Sequence, residues 1–171
     1  MLKKIRKVYY FGYGADSEPD LLHAITGRRP KVIGTALLQN YELRIQELAE
    51  VTTKGLNPQE ILRKAWGNDF KSYVIVAKAG AEVRGTLYRL SLHDKHLIDV
   101  WELVDAGWYE KAFVNVGLVG TPKVYQTETQ VLAPKQSATI STDGATYTPW
   151  LMPKERLLFV AESLRRIPSQ P

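Results

Sequence analysis

The chain has 171 residues, no cysteine and a formal net charge of +5, which excludes a disulfide framework, a thiolate nucleophile and a zinc–cysteine centre. Hydrophobic residues make up 44% and charged residues 24%, ordinary values for a single globular domain over residues 1–171 built on one substantial core. The positive residues gather at the two ends (Lys3, Lys4, Arg6, Lys7, Arg165, Arg166) and at Arg28-Arg29, a pattern of solvated charge rather than a nucleic-acid-reading stripe.

Met1 to Lys7 is basic, but the apolar stretch after it is only four residues before glycine, so it does not read as a secretory leader. No apolar run reaches the length of a membrane span. The expectation is a cytoplasmic protein with no membrane and no nucleic-acid partner; the oligomeric state is left open.

Val8-Tyr9-Tyr10-Phe11 has strong strand preference and runs directly into Gly12-Tyr13-Gly14. A strand ending in alternating glycines brings backbone N–H groups within reach of an anion or a polarised carbonyl oxygen. A plain glycine turn fits the same residues. Asp20 to Ile25 predicts a short helix ended by Gly27. Lys31 to Leu38 and Glu42 to Gln46 predict two strands joined around Gln39-Asn40. Asn57-Pro58-Gln59-Glu60 is a helix start, with Asn57 as cap, Pro58 at the first position and Glu60 able to reach back.

That helix is expected to run to about Ala65. Strands are predicted at Ser72 to Ala79 and Glu82 to Leu90 around Gly80, with Gly85 marking a bulge or a close backbone approach. Ser91 caps a helix predicted to extend to about Val104, with Asp94 suited to the capping box. Tyr109 to Leu118 and Lys123 to Thr129 read as strands across the Gly120-Thr121-Pro122 turn. Ala133 to Tyr147, rich in Ser, Thr, Ala and Gly, reads as an exposed loop or lid. A last helix is expected from Pro153 to Arg166, with Leu157, Leu158, Val160, Ala161 and Leu164 as its apolar stripe. Strands dominate the middle and helices are appended, an α+β arrangement with a curved sheet or small barrel.

The predicted helix carrying Leu97, Ile98 and Trp101 also carries Glu102, about 140° around the axis from Leu97. Glu102 therefore sits at the rim of the buried face, where partial desolvation raises a carboxyl pKa and suits it to proton transfer. Pairing with a Lys or Arg is the structural alternative. Asp99 is expected to point outward into solvent. His23, His93 and His96 form no metal-ligand spacing.

Four segments in order carry a resemblance. They are Tyr9-Tyr10-Phe11-Gly12-Tyr13-Gly14, Val83-Arg84-Gly85-Thr86-Leu87-Tyr88, Leu97-Ile98-Asp99-Val100-Trp101-Glu102 and Gly107-Trp108-Tyr109-Glu110-Lys111. Over residues 8–117 they are similar to the gamma-glutamylcyclotransferase-like superfamily, which includes the avirulence-induced-gene-like proteins. The resemblance implies a small mixed β-barrel edged by helices, with a pocket at one mouth.

It implies, further, a cofactor-free conversion of a γ-glutamyl amide or γ-glutamylamine into 5-oxoproline and a free amine. Glu102 would be the catalytic acid/base, and the substrate would be held by Tyr13, Gly14, Ala15, Asp16 and Tyr109. The only partner implied is the small γ-glutamyl substrate; neither a metal nor an organic cofactor is required.

The chain departs from the pattern after Tyr-Gly, where the family places Ser or Thr and this sequence has Ala15-Asp16. The lost hydroxyl is worth about 1 kcal/mol. A carboxylate at Asp16 repels a substrate carboxylate if it faces the pocket, and is harmless if it caps the helix near Asp20. Trp101 and Leu103 around the glutamate also differ, giving Glu-Leu rather than Glu-Gly. A non-catalytic relative that binds a small ligand or a protein at the barrel mouth is the second reading left open by the sequence.

Overall fold

The computed structural model describes residues 6–133, 136–142 and 148–165. Its elements, in chain order, are β1 (Lys7–Gly12), α1 (Pro19–Thr26), β2 (Lys31–Glu47), α2 (Pro58–Trp66), β3 (Lys71–Ser91), α3 (Leu92–Trp101), β4 (Tyr109–Leu118), β5 (Val124–Leu132), β6 (Ile140–Ser141) and α4 (Lys154–Arg165). The strands follow the order β3-β1-β5-β4-β2, and a long β2–β3 ladder closes the ring. The short β6 adds to β2. All pairings are antiparallel except β1–β5, which is parallel. The result is a closed five-stranded mixed barrel with helices at its edge, the α+β barrel expected from the sequence.

Helix starts follow local chemistry closely. The Asn57 side chain accepts from Glu60 N at 3.2 Å, and Ser91 Oγ accepts from Asp94 N at 3.0 Å, so each cap satisfies one amide that lacks an intrahelical partner. Glu60 does not reach back to complete a box; its carboxylate pairs with Arg63 at 2.6 Å. Gly27 ends α1 in the left-handed conformation at φ 76°, as a glycine stop does.

The two predicted strand pairs are each one continuous strand. The breaks expected at Gln39-Asn40 and Gly80 are an irregularity within the β2–β3 ladder, whose register passes from Gln39–Glu82 to Tyr41–Ala77. Asn40 (φ 65°) and Gly80 (φ 80°) adopt left-handed conformations there, and Asn40 Oδ1 accepts from Gly80 N at 3.1 Å. A bulge needs the same residues as a turn, and the nonlocal ladder decides between them.

Part of the stretch expected as an exposed loop is built into the domain. Ala138 is buried, β6 pairs with β2, and Gln46 Nε2 donates to the Ser137 carbonyl at 2.9 Å. Residues 134–135 and 143–147 of that stretch lie outside the described residues, as does Arg166 of the last predicted helix.

The core has two parts. Phe11, Leu38, Ile75, Val83, Leu87 and Val116 of the strands and Tyr13 of the loop after β1 belong to one buried cluster. The other joins β1 and β3, through Tyr10, Val74 and Tyr88, to the helices through Leu21, Leu22, Leu62, Trp66, Ile98 and Leu157. Gly85 holds β1 and β3 together: a Cβ there would lie 2.4 Å from the Gly12 carbonyl oxygen and 2.7 Å from the Phe11 ring. The close approach read from the sequence is therefore present, and it fixes where β1 delivers its terminal loop.

Candidate active site

The loop after β1 folds back on itself in a single 3-10 turn, Ala15–Ser17. Two β3 side chains pin it. Tyr88 donates its hydroxyl to the Asp16 carbonyl at 2.9 Å, and Thr86 donates to the Ser17 carbonyl at 2.8 Å. A Cβ on Gly12 would lie 2.6 Å from the Asp16 carbonyl oxygen, so only glycine permits a turn this tight.

The Asp16 side chain answers the question its sequence position raised. It does not cap α1, whose N-cap is Glu18 without a side-chain bond. Instead it is buried and lines a cavity at the barrel edge. The Tyr10 hydroxyl donates to one carboxylate oxygen, and Gly14 N donates to the other at 3.0 Å. A backbone donor that the sequence offered to a ligand is thus directed at the protein's own carboxylate. Burial raises the Asp16 pKa above its ordinary value; Tyr10, the Gly14 and Asp16 amides and the Lys95 charge oppose that rise.

Glu102 stands at the end of α3 rather than within a helix running to Val104. The helix stops at Trp101, Glu102 is its C-cap, and a 3-10 turn covers Val104–Ala106. The stop is made by Leu103, held left-handed at φ 51° and ψ 41°, a conformation costing a non-glycine residue about 1 kcal/mol. Here the departure from Glu-Gly to Glu-Leu acquires a structural meaning, because leucine occupies a backbone conformation that favours glycine.

Glu102 is half-buried and lines the same cavity as Tyr13, Gly14, Ala15, Asp16 and Tyr109. Every site residue expected from the sequence therefore faces one chamber. Its volume is about 360 Å³, within the usual range of small-molecule sites. Desolvation is the main cause that pushes the Glu102 pKa well above the ordinary carboxylate value. The Asp16 charge adds to it, Lys95 opposes it and Asp99 adds again.

Both phenols at the site are oriented by carbonyls. Tyr13 donates to the Gln130 carbonyl and Tyr109 to the Tyr73 carbonyl, each at 2.7 Å. Burial, then the neighbouring negative charge of Glu102, raises the Tyr109 pKa well above 10.0. It stays a neutral hydroxyl across the physiological range. Tyr109 is thus both a buried core aromatic and a cavity wall.

The sequence missed the polar support behind the site. Lys95 is buried, pairs with Asp99 and lies 3.1 Å from Glu128 on β5. Its ammonium also sits 5.3 Å from the centre of the Tyr10 ring. Asp99, expected in solvent, is largely buried; it also accepts from Gln130 Nε2 at 3.0 Å and pairs with Lys111 at 3.7 Å. The i,i+4 spacing of Lys95 and Asp99 was the available signal, but it also describes an ordinary surface pair. Among the described residues no group of His, Cys, Asp and Glu is arranged to hold a metal ion.

Solved structures share this architecture. A gamma-glutamyl cyclotransferase superimposes with a TM-score of 0.62 at 18% identity, over 78% of this chain and 70% of that one. An uncharacterized protein from Homo sapiens gives 0.61 at 16% identity, over 95% and 82%. An AIG2-like protein from Mus musculus gives 0.50 at 14% identity, over 86% and 99%. No protein-family model matches the sequence, and no curated protein matches it. Among the described residues no helix is long and apolar enough to cross a membrane. The chain has the gamma-glutamyl cyclotransferase-like fold.

Proposed function

We propose that the protein is a cofactor-free cyclotransferase that converts a γ-glutamyl amide or γ-glutamylamine into 5-oxoproline and a free amine. The observation that carries this reading is the common chamber: a carboxyl with a raised pKa, Glu102, opens into the same space as the Gly12–Asp16 loop. A γ-glutamyl amide contains its own nucleophile, so holding it bent supplies effective molarity for ring closure.

The α-amine nitrogen attacks the γ-carbonyl carbon, and the Glu102 carboxylate takes a proton from that nitrogen. The new C–N bond closes the five-membered ring. The old C–N bond then breaks as Glu102 returns the proton to the departing amine. Amides of the Gly12–Ala15 loop not directed at Asp16 are the donors proposed to steady the developing oxyanion, and the Tyr109 hydroxyl, whose proton goes to the Tyr73 carbonyl, is left to accept from the substrate. Raised proton affinity suits Glu102 to both steps, since it must accept and donate near neutral pH.

Two observations favour the other reading, a non-catalytic barrel that binds a ligand or protein at its mouth. Gly14 N is directed at Asp16, and two carboxyl groups share the chamber. Incubation of the full chain with a panel of γ-glutamyl amides distinguishes the two. The cyclotransferase reading predicts 5-oxoproline and amine in a 1:1 ratio from at least one member. Ligand-induced shifts in NMR spectra without product from any member would favour the binding role.

A further inference from the structure

The chamber has two kinds of wall. Asp16, Ser72, Glu102, Tyr109 and Gln130 supply polar groups. Most of the remaining lining is apolar and comes from different elements: Leu62 and Trp66 of α2, Phe70, Trp101 of α3, and Leu157 of α4. The aromatic walls are fixed against each other. Trp66 meets Trp101 edge-on with ring centroids 5.7 Å apart and stacks on Phe70 at 6.4 Å.

The two cationic side chains that also border this space each have a protein partner. Lys71 Nζ lies 3.7 Å from Glu47, and Arg165 Nε donates to the Ala24 carbonyl at 3.2 Å. An amine bearing a carboxylate or a second ammonium would have to shed water among indole and alkyl groups there. An apolar body would gain by leaving water.

We infer that the leaving half of the substrate is an apolar amine, with an aryl or branched-alkyl body seated between α2, α3 and α4. The inference rests on the cyclotransferase reading for its reaction. It does not rest on that reading for its binding. The scissile amide lies at Glu102, and the departing nitrogen carries its side chain against the aromatic walls. Apolar burial makes the preference additive in carbon number, about fourfold per buried methylene.

The test compares γ-glutamyl-2-phenylethylamide and a γ-glutamyl n-alkylamide series with γ-glutamylglycine, using kcat/KM for 5-oxoproline release. The phenylethylamide is expected to exceed γ-glutamylglycine by at least tenfold, with kcat/KM rising along the alkyl series. Ala65→Glu places a carboxylate on the α2 wall at an exposed position that tolerates the change in fold, and is expected to narrow that ratio about tenfold. Quenching of tryptophan fluorescence by 2-phenylethylamine gives a second readout that needs no turnover.

Equal or reversed preference among cleaved substrates overturns the apolar assignment and leaves the reaction standing. Saturable quenching by 2-phenylethylamine that Ala65→Glu weakens, with no amide cleaved, supports the apolar seat and overturns the reaction. No preference and no quenching overturns the seat outright.

Discussion

Glu102→Gln is expected to lose about 10³-fold in kcat/KM toward a γ-glutamyl amide while becoming more stable at neutral pH. The loss follows from the proposed acid/base role, in which Glu102 both accepts and returns a proton. The gain follows from linkage. Burial and the Asp16 charge raise the Glu102 pKa in the folded state above its ordinary value of 4.5, so the native protein binds this proton more tightly than the unfolded chain does. Unfolding free energy then falls as pH rises from about 4.5 through the raised folded value, and stays reduced above it.

Glutamine has nearly the same shape and no charge, so it removes that cost. Urea denaturation should show a gain for the variant at pH 8 that shrinks toward pH 5. A variant that is inactive and also less stable at pH 8 would indicate a structural role for Glu102 instead. On the proposed mechanism, stability and proton transfer pull in opposite directions at this position, as they do where a carboxyl is held in a desolvated site for chemistry.

Gly85→Ala is the second large effect, and it acts on the scaffold that aims the loop. The added methyl would meet backbone at 2.4 Å, the Gly12 carbonyl, together with the Phe11 ring at 2.7 Å. A carbonyl in a barrel ladder cannot step aside as a flexible side chain can, so β1 and β3 must part. Overpacking of this kind costs about 3 kcal/mol, or roughly 10 °C in Tm for a chain this long. Gly117→Ala is the matched control, since a Cβ there meets nothing within 4 Å; its effect should stay within about 0.5 kcal/mol. Because Gly12 begins the loop, Gly85→Ala should also lower turnover by more than its folded fraction explains.

Local chemistry made several elements legible in advance. Asn57 and Ser91 announced their helices because a cap is written within four residues. Gly85 announced a close approach because a strand interior otherwise avoids glycine. What failed was decided at longer range. Gln39-Asn40 and Gly80 carried turn signals that the β2–β3 ladder absorbed as a bulge. The helix end at Trp101 was hidden because a leucine, not a glycine, takes the left-handed position.

The members of the candidate site were legible, in that they line one chamber, but their relations were not. Tyr13, Asp16, Glu102 and Tyr109 were named from the sequence, yet nothing in it revealed that Asp16 would draw the Gly14 amide to itself. That bond joins residues two apart, but Asp16 is held inward by Tyr10 and Tyr88, from β1 and β3. Lys95 was missed for a related reason. Its helical pattern reads as surface until β5 brings Glu128 against it. Buried ion networks arise where separate elements meet, and single-segment periodicity does not report them.

The most direct measurement is the pH dependence of kcat/KM for 5-oxoproline release by the wild-type chain. A Glu102 base held in a desolvated chamber predicts activity that rises with pH through a limb well above 4.5, and that limb disappears in the residual activity of Glu102→Gln. A limb at the ordinary carboxylate value, or the same profile in both proteins, would contradict Glu102 as the acid/base.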